Sequence, residues 1–141
     1  MKIILLESKA WSVYAVVSNN GTHDETCELL DFLDGLTTKH RGSRNGIYQY
    51  FERFAEHGSS AFNDAICHYA DKEEKIWEFI KGDIRILWFY AGHDQAIICS
   101  QGFIKSGQKT PKVEKQKAIK AKTQYLNDKK NNNIIFVETE D

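Results

Sequence analysis

The chain has 141 residues, of which 41% are hydrophobic and 28% are charged, and it contains three Trp, six Tyr and eight Phe. This composition provides enough apolar surface for a packed core, and it excludes a disordered chain and a membrane-embedded one. We expect a single domain over residues 1–141, with a core at 11–126 and a polar linker followed by a short strand or tail at 127–141.

The net charge of −1 hides an uneven distribution of charge along the chain. Residues 75–130 carry eleven Lys and one Arg against five acidic residues, a net +7, whereas residues 1–74 carry −5 and the last eleven residues −3. Phosphate groups of an extended polyanion are attracted to a basic surface of this kind. The second half of the chain is therefore the candidate for contact with a nucleic acid.

The N-terminal apolar run indicates the compartment. It begins like an export signal but stops at Glu7, short of the roughly 7 to 15 apolar residues that such a signal needs. No later run approaches the roughly 18 uncharged residues of a membrane span. We expect a cytoplasmic protein that has no membrane partner.

Cysteine usage agrees with a reducing compartment. Cys27, Cys67 and Cys99 lie far apart without a CxxC pair, which argues against a disulfide framework and a zinc knuckle. His23 lies four residues before Cys27, and His68 follows Cys67, so a mixed metal site stays open as an alternative. Free thiols with no metal and no cofactor are the favoured interpretation.

The first half of the chain predicts one strand and two helices. Trp11–Val17 is rich in β-branched and aromatic residues, and a turn at 19–21 closes it. Thr22 with Glu25 forms a capping-box pattern, and leucines then recur at helical spacing, which predicts a helix from Thr22 to about Asp34. After a polar bridge at 37–44, a second amphipathic pattern ends at Gly58. The apolar spacing in Ser59–Asp71 permits a short helical turn.

The second half predicts a strand meander followed by a basic helix. The runs at 75–80, 84–90 and 96–104 are separated by turns at 81–83 and 91–94, so we expect three antiparallel neighbours. Thr110 is a typical N-cap and Pro111 suits the first helical position, so the Lys-rich segment should be helical from there to about Leu126. Residues 134–137 form a last β-prone run. The expected fold is α+β, an antiparallel meander sheet with two N-terminal helices and a basic C-terminal helix.

Three segments now point to a family. They are IWEF at 76–79, IRILWFY at 84–90 and GFIKSGQKTPKVE at 102–114. With the order of elements they resemble the RelE/HigB-like toxins, in particular the phage-derived branch, over residues 11–126. The resemblance implies a small RelE-like domain and a toxin of a type II toxin–antitoxin system.

The resemblance also implies an activity. Such toxins are mRNA interferases, RNA-binding endoribonucleases that inhibit translation, with or without the ribosome, and a cognate antitoxin, often of helix-turn-helix type, neutralises them. Cutting needs no metal, because the ribose 2′-hydroxyl attacks the adjacent phosphate and the protein supplies position, proton transfer and charge stabilisation. The alternative is a non-catalytic binding module of the same fold, directed at gyrase or bound to an antitoxin without cleaving RNA.

Carried over to this sequence, the family pattern implies Arg85, Lys105 and Lys109 as catalytic residues. We expect Lys112, Lys115 and Tyr90 to bind RNA, the tyrosine by stacking on a base. Two positions depart from the pattern, because Ile80 stands where an Arg is common and Ser106 where a second Lys is common. These departures bear on whether cleavage activity survives.

Structural roles compete with these assignments. Arg85 could pair with Glu78 across the predicted hairpin, and the lysines could be a solvated face that only adds solubility. The aromatic side chains at 77 and 88–90 should lie mainly in the core, because alternation along a strand turns at most half of them outward.

Overall fold

The computed structural model describes residues 1–19, 25–92 and 94–137. Within these residues the strands are β1 Lys2–Ser8, β2 Ser12–Asn19, β3 Glu25–Thr26, β4 Cys67–Asp71, β5 Ile76–Lys81, β6 Ile84–Tyr90, β7 Ala96–Ile104 and β8 Ile135–Val137. The helices are α1 Glu28–Asp34, α2 Arg41–His57 and α3 Lys112–Lys130, with short 3₁₀ turns at Thr38–His40 and Gly58–Ala61.

A single mixed sheet organises the described residues, with the strand order β4-β5-β6-β7-β2-β1-β8 and β3 paired to β2. Strands β4 to β7 form an antiparallel meander. The pairs β2–β7 and β1–β8 are parallel. The ends of the meander strands lie at 81–84 and around 104, and this is where the candidate site forms.

The sheet separates two hydrophobic clusters. Helices α1 and α2 cover one face, where the buried side chains include Leu29, Leu33, Phe51, Phe54, Phe79, Ile86 and Trp88. Helix α3 covers the other face, where they include Ile76, Leu87, Phe89, Ile98, Ala118 and Tyr125. Since adjacent residues of β6 point to opposite faces, Trp88 and Phe89 belong to different clusters.

The α+β class and the three antiparallel neighbours β5, β6 and β7 are confirmed. The description of the whole sheet as an antiparallel meander is wrong, because two of its pairings are parallel. Strand β1 is formed by the N-terminal apolar run, whose expected alternative was only a targeting signal. A parallel pairing joins residues that are distant in sequence, so no local sequence pattern predicts it.

The first helix begins later than predicted. The predicted helix is confirmed over Glu28–Asp34, but the prediction is wrong for Glu25 and Thr26, which are in a strand. Pairing with Ser18 and Asn19 of β2 holds this segment extended. Thr22, the turn around residue 20 and His23 lie outside the described residues.

The second helix ends as predicted, at Gly58. This residue has a φ of +68°, and its backbone N–H donates to the Phe54 carbonyl. A Cβ atom at Gly58 would lie 2.7 Å from Nε1 of Trp11. Glycine is therefore required at this position both by backbone conformation and by space.

The helical turn expected within Ser59–Asp71 is wrong in its main part. Residues Cys67–Asp71 form strand β4, and only 58–61 make a 3₁₀ turn. Pairing with β5 places Cys67 opposite Phe79 and Tyr69 opposite Trp77. The gain from this pairing outweighs the weak helical spacing of the segment.

Helix α3 runs to Lys130, past the predicted end at Leu126. Its buried residues are Ala118 and Tyr125, whereas Val113 and Leu126 are 75% and 43% exposed. The apolar stripe that faces the sheet is therefore narrow, and it is centred on Ala118 and Tyr125. In the described part of the chain, no helix combines the length and apolar character needed to cross a lipid bilayer.

Candidate functional site

A narrow cleft forms where the meander strands meet the start of α3. We call it the Glu78 cleft, and its lining residues are Glu78 of β5, Arg85 of β6, Phe103 of β7 and residues 105–111 of the loop that leads into α3. The three predicted catalytic residues, Arg85, Lys105 and Lys109, therefore line one cleft. Its internal volume is about 10 Å³, close to the space that one water molecule requires.

Strand β6 holds Arg85 near its first residue. The guanidinium Nη1 donates to the carbonyl oxygens of Gly82 at 2.7 Å and of Ile84 at 3.1 Å. These bonds fix one nitrogen and leave the Nη2 and Nε donors for a ligand. The proposed cross-strand pair with Glu78 is wrong in register, because Arg85 faces Ile80 and Glu78 faces Leu87.

The loop after β7 contributes the two lysines. Its first residue is fixed by the Lys105 backbone N–H, which donates to the Asp83 carbonyl at 2.7 Å. The side chains of Lys105 and Lys109 are exposed, and so is Ser106, which also lines the cleft. Long cationic side chains thus lie on the solvent side of the cleft, opposite the strands.

Glu78 is the acidic group of the cleft, and it is only 4% exposed. Its Oε2 accepts a hydrogen bond from the Thr110 hydroxyl at 2.7 Å. The prediction that Thr110 caps α3 is wrong, since the cap position is Pro111 and no side-chain cap bond is present. The hydroxyl serves the buried carboxylate instead, which would otherwise lose solvation without compensation.

His68 of β4 is the second partner of this carboxylate. Its Nε2 lies 3.3 Å from Oε1 of Glu78, and its Nδ1 lies 2.8 Å from the carbonyl oxygen of Asp64. A carbonyl only accepts, so Nδ1 carries a proton in this arrangement. The contact between Nε2 and Oε1 is a hydrogen bond only when one of these two atoms also carries a proton, as in an imidazolium paired with a carboxylate.

The residues predicted to bind RNA do not join the cleft. Lys112 and Lys115 lie on the first turn of α3, outside the cleft lining. Tyr90 lies at the other end of β6, half-buried, with its ring 5.8 Å from Trp11 and 5.1 Å from Trp88. Burial raises the pKa of Tyr90, and a hydrogen bond with Ser59 opposes part of this effect.

From the sequence, Glu78 was expected only as a partner for Arg85, and His68 only as one residue of the metal site that was left open. One signal was present for Glu78, because it is the one charged residue between Ile76 and Ile80 in an otherwise apolar run. A buried carboxylate in a strand needs hydrogen-bond partners, and such groups often mark functional sites. For His68 no signal was available, since strand β4 was not predicted.

The cysteines offer no evidence for the metal site that was left open. Cys27, Cys67 and Cys99 are free thiols, the last two buried. Burial raises the pKa of Cys67 to about 12 and raises that of Cys99 as well. Across residues 1–19, 25–92 and 94–137, no three His, Cys, Asp or Glu side chains cluster as metal ligands would. His23 is outside these ranges.

Comparison with known proteins gives a family. A search of curated proteins found no match for this chain. The model of the family described as "Phage derived protein Gp49-like (DUF891)" matches residues 31–123, which are 93 of the 141 residues. The match extends from α1 into α3 and includes every residue that lines the Glu78 cleft. The phage-derived part of the predicted resemblance is thus confirmed, and the chain belongs to the family of Gp49-like, phage-derived proteins.

Proposed function

We propose that this protein is the toxin of a type II toxin–antitoxin pair and that it cleaves mRNA without a metal ion. The observation that carries the proposal is one cleft that is lined by Arg85, Lys105 and Lys109 together with the buried carboxylate of Glu78. Cleavage of RNA needs cations that stabilise the negative charge of the phosphodiester, and it needs a base that takes the proton of the adjacent ribose 2′-hydroxyl. Membership of a phage-derived family is compatible with this role, and the RelE/HigB assignment stays a prediction.

In the proposed reaction Glu78 is the proton acceptor. The 2′-hydroxyl loses its proton to the carboxylate as its oxygen attacks the adjacent phosphorus, and the bond to the 5′-oxygen then breaks. The 5′-oxygen takes a proton from a cationic donor of the 105–110 loop. His68 and Thr110 hold the carboxylate in place through the contacts of 3.3 Å and 2.7 Å.

Arg85 would stabilise the charge that develops on the phosphorane. Its guanidinium is fixed on a strand, so its position changes little when substrate binds, and its free donors suit two phosphate oxygens. Lys105 and Lys109 approach from the loop, on the other side of the cleft. Cations on two sides of one phosphate would stabilise the transition state more than the ground state, because the negative charge on the phosphate oxygens is largest in the transition state.

The second candidate is a binding module that does not cleave RNA, and the volume of the cleft favours it. A space of about 10 Å³ is smaller than a phosphodiester group, which the enclosed part of the cleft therefore does not accommodate in this conformation. Ser106, in place of a second lysine, lies in the loop at 105–110. Ile80 lies opposite Arg85 on β5, so the cation expected there is missing beside the cleft.

The partners follow from the same proposal. The mRNA substrate would enter with or without the ribosome, and a cognate antitoxin, helix-turn-helix in type, would silence the protein by covering the basic surface. Lys112 and Lys115 would attract the RNA backbone from the first turn of α3, outside the cleft. Cytoplasmic location is part of the proposal, since both partners are found there.

The test uses single alanine substitutions at Arg85, Lys105 and Lys109, with Lys117→Ala as the matched control on α3. Removing one donor that stabilises transition-state charge costs about 2.7 to 4 kcal/mol, a loss of roughly a hundredfold or more in rate. We expect the three variants to cleave RNA in vitro more slowly and to relieve growth inhibition in cells. Lys117 pairs with Glu28 away from the cleft, so its variant should keep full activity.

The same experiment separates the two candidates. If wild type and all four variants inhibit growth equally, the cleft is not the site of toxicity. If wild type inhibits growth while amino-acid incorporation is unchanged and DNA supercoiling is altered, mRNA cleavage is excluded and gyrase becomes the target. Circular dichroism of each variant checks that the fold is kept.

A further inference from the structure

A second cleft lies at the opposite end of strands β5 and β6. We call it the aromatic cleft; it is bounded by Tyr69, Trp77 and Tyr90 and closed by Lys75, Lys122 and Leu126. Its volume is about 410 Å³, within the range of small-ligand sites. None of its residues lines the Glu78 cleft.

The aromatic rings of this cleft form a ladder across three strands. Tyr69 of β4 faces Trp77 of β5, and Trp77 faces Trp88 of β6. The ring centroids of Tyr69 and Trp77 are 4.0 Å apart, and those of Trp77 and Trp88 are 5.5 Å apart with planes inclined by only 15°. Trp88 is fully buried, so the ladder is anchored in the core at one end.

The other end of the ladder is open. Tyr69 lies on the outer strand of the sheet, and it is 38% exposed although its neighbour Trp77 is a large aromatic residue. An exposed ring that is already stacked on a fixed partner loses little conformational entropy when a further flat group stacks on it. A planar, unsaturated group is therefore the chemistry that this surface accepts best.

Charge alone does not explain the cleft. Lys75 and Lys122 lie on its rim, but the turn 72–75 also contains Glu73 and Glu74, so the turn has no net charge. Lys122 is held in place because its Nζ donates to the Glu74 carbonyl at 2.7 Å. A ligand here would gain mainly from stacking, with one or two cations available for a neighbouring phosphate.

The position of the cleft relates it to the Glu78 cleft. His68, which contacts Glu78, and Tyr69, which begins the ladder, are consecutive residues of the outer strand β4. Along β6, Arg85 and Tyr90 are five residues apart, which corresponds to about 17 Å in an extended strand. These two residues point to opposite faces of the sheet, so a single-stranded chain of a few nucleotides would have to pass around the β4 edge to reach both clefts.

We propose that the aromatic cleft is a base-stacking subsite in which a nucleobase of single-stranded RNA stacks on Tyr69, a few nucleotides away from the phosphate held in the Glu78 cleft. The inference rests on the proposed function, and it replaces Tyr90 with Tyr69 as the aromatic residue that meets the RNA. Tyr90 packs edge to face against Trp77, with the two ring centroids 6.1 Å apart.

The experiment measures binding of a fluorescein-labelled oligoribonucleotide, about 10 nucleotides long, with 2′-O-methyl groups that prevent cleavage. Fluorescence anisotropy gives its Kd for wild type, Tyr69→Ala, Tyr69→Phe and Tyr48→Ala. Tyr48 is the matched control, because it is a tyrosine of equal exposure, 38%, that lines neither cleft. The same oligonucleotide is then prepared with a single abasic residue at each position in turn.

We expect Tyr69→Ala to weaken binding by about 5- to 150-fold, the range that corresponds to loss of one stacked base. Tyr69→Phe and Tyr48→Ala should bind like wild type. One abasic position should weaken binding to wild type by a similar factor and should have no further effect on Tyr69→Ala. Because this position is found with the unmodified protein, misfolding of a variant cannot produce the result.

The outcomes that overturn the proposal differ from those that overturn the function. If Tyr69→Ala and Tyr48→Ala bind equally well while Arg85→Ala is weakened, the subsite is wrong and the phosphate site stands. If Tyr69→Ala loses affinity only for the antitoxin, the cleft holds a protein side chain and the base-stacking subsite is wrong. If wild type binds no RNA, both the proposed function and the subsite fall.

Discussion

The most decisive substitution is Glu78→Gln, because it removes the proton acceptor and keeps the shape of the side chain. The amide oxygen can still accept from Thr110, whose hydroxyl lies 2.7 Å from Oε2 in the native protein. The negative charge that faces His68 at 3.3 Å is lost. Proton transfer by a positioned base contributes about 10²- to 10⁴-fold to a rate. The expected loss is therefore about 3 to 5 kcal/mol of transition-state stabilisation.

The cost to folding should be smaller. A hydrogen bond that involves a charged group contributes about 1.5 to 3 kcal/mol, and a neutral one about 0.5 to 1.5 kcal/mol. The amide also avoids the cost of burying a charge at a position that is 4% exposed. These opposing terms leave a change of about 1 kcal/mol or less in the free energy of unfolding, against a typical total of about 5 to 15 kcal/mol. The variant should stay folded at 37 °C.

The assay compares single-turnover cleavage of an RNA substrate with thermal unfolding for Glu78→Gln and for Glu28→Gln. Glu28 is the matched control, because it is an exposed carboxylate on α1 that pairs with Lys117. We expect a loss of at least a hundredfold in cleavage for Glu78→Gln and none for Glu28→Gln. Full activity of Glu78→Gln beside an inactive Arg85→Ala would refute the assignment of the base and place it elsewhere.

Three further predictions concern the backbone, the thiols and the partner. Gly58→Ala should lower the free energy of unfolding by about 1 to 3 kcal/mol, because φ is +68° and Trp11 Nε1 would lie 2.7 Å from the new Cβ. The control Gly42→Ala has open space around it in helix α2, so it should raise the free energy of unfolding by up to about 1 kcal/mol. Equal midpoints of urea unfolding for the two variants would contradict this prediction. Burial raises the pKa of Cys67 from 9.0 to about 12, so the stabilisation that the protonated thiol provides is complete below pH 9 and is lost as pH rises toward 12. Urea unfolding at a series of pH values measures this loss, and a free energy of unfolding that stays constant from pH 9 to 11 would refute the prediction. Binding of the antitoxin should weaken as salt rises, since it must cover the segment with net +7; an affinity insensitive to ionic strength in calorimetry would move the interface elsewhere.

The meander could be predicted from sequence because its information is local. Aromatic and β-branched residues fill β5 and β6, and Gly82, with a φ of +57°, supplies the turn between them. Strand β4 was missed because the apolar spacing from Phe62 through Ile66 to Tyr69 also suits a helical turn, and only pairing with β5 decides between the two. The parallel pairs could not be predicted, since no local pattern links β1 to β8.

In the candidate site, too, some features could be predicted from the sequence and others could not. Arg85, Lys105 and Lys109 follow from strand ends and a loop, so their grouping could be predicted once the strand order was known. The environment of Glu78 could not, because it depends on Thr110, which had been assigned as a helix cap. His68 depends on a strand that the sequence did not reveal.

The pairing of the first strand with the last has a consequence for the order in which the chain folds. Lys2 is the partner of Ile135, so this contact closes nearly the whole chain, whereas the hairpins β5–β6 and β6–β7 close within about twenty residues. Contacts that close short loops form faster than those that close long ones, because less chain entropy is lost before they are made. The strands that carry Glu78 and Arg85 can therefore pair during synthesis, before residue 135 leaves the ribosome. The cleft-bearing hairpins would thus be the earliest part of the sheet that a partner could meet, and hydrogen exchange of nascent chains should protect β6 before β1.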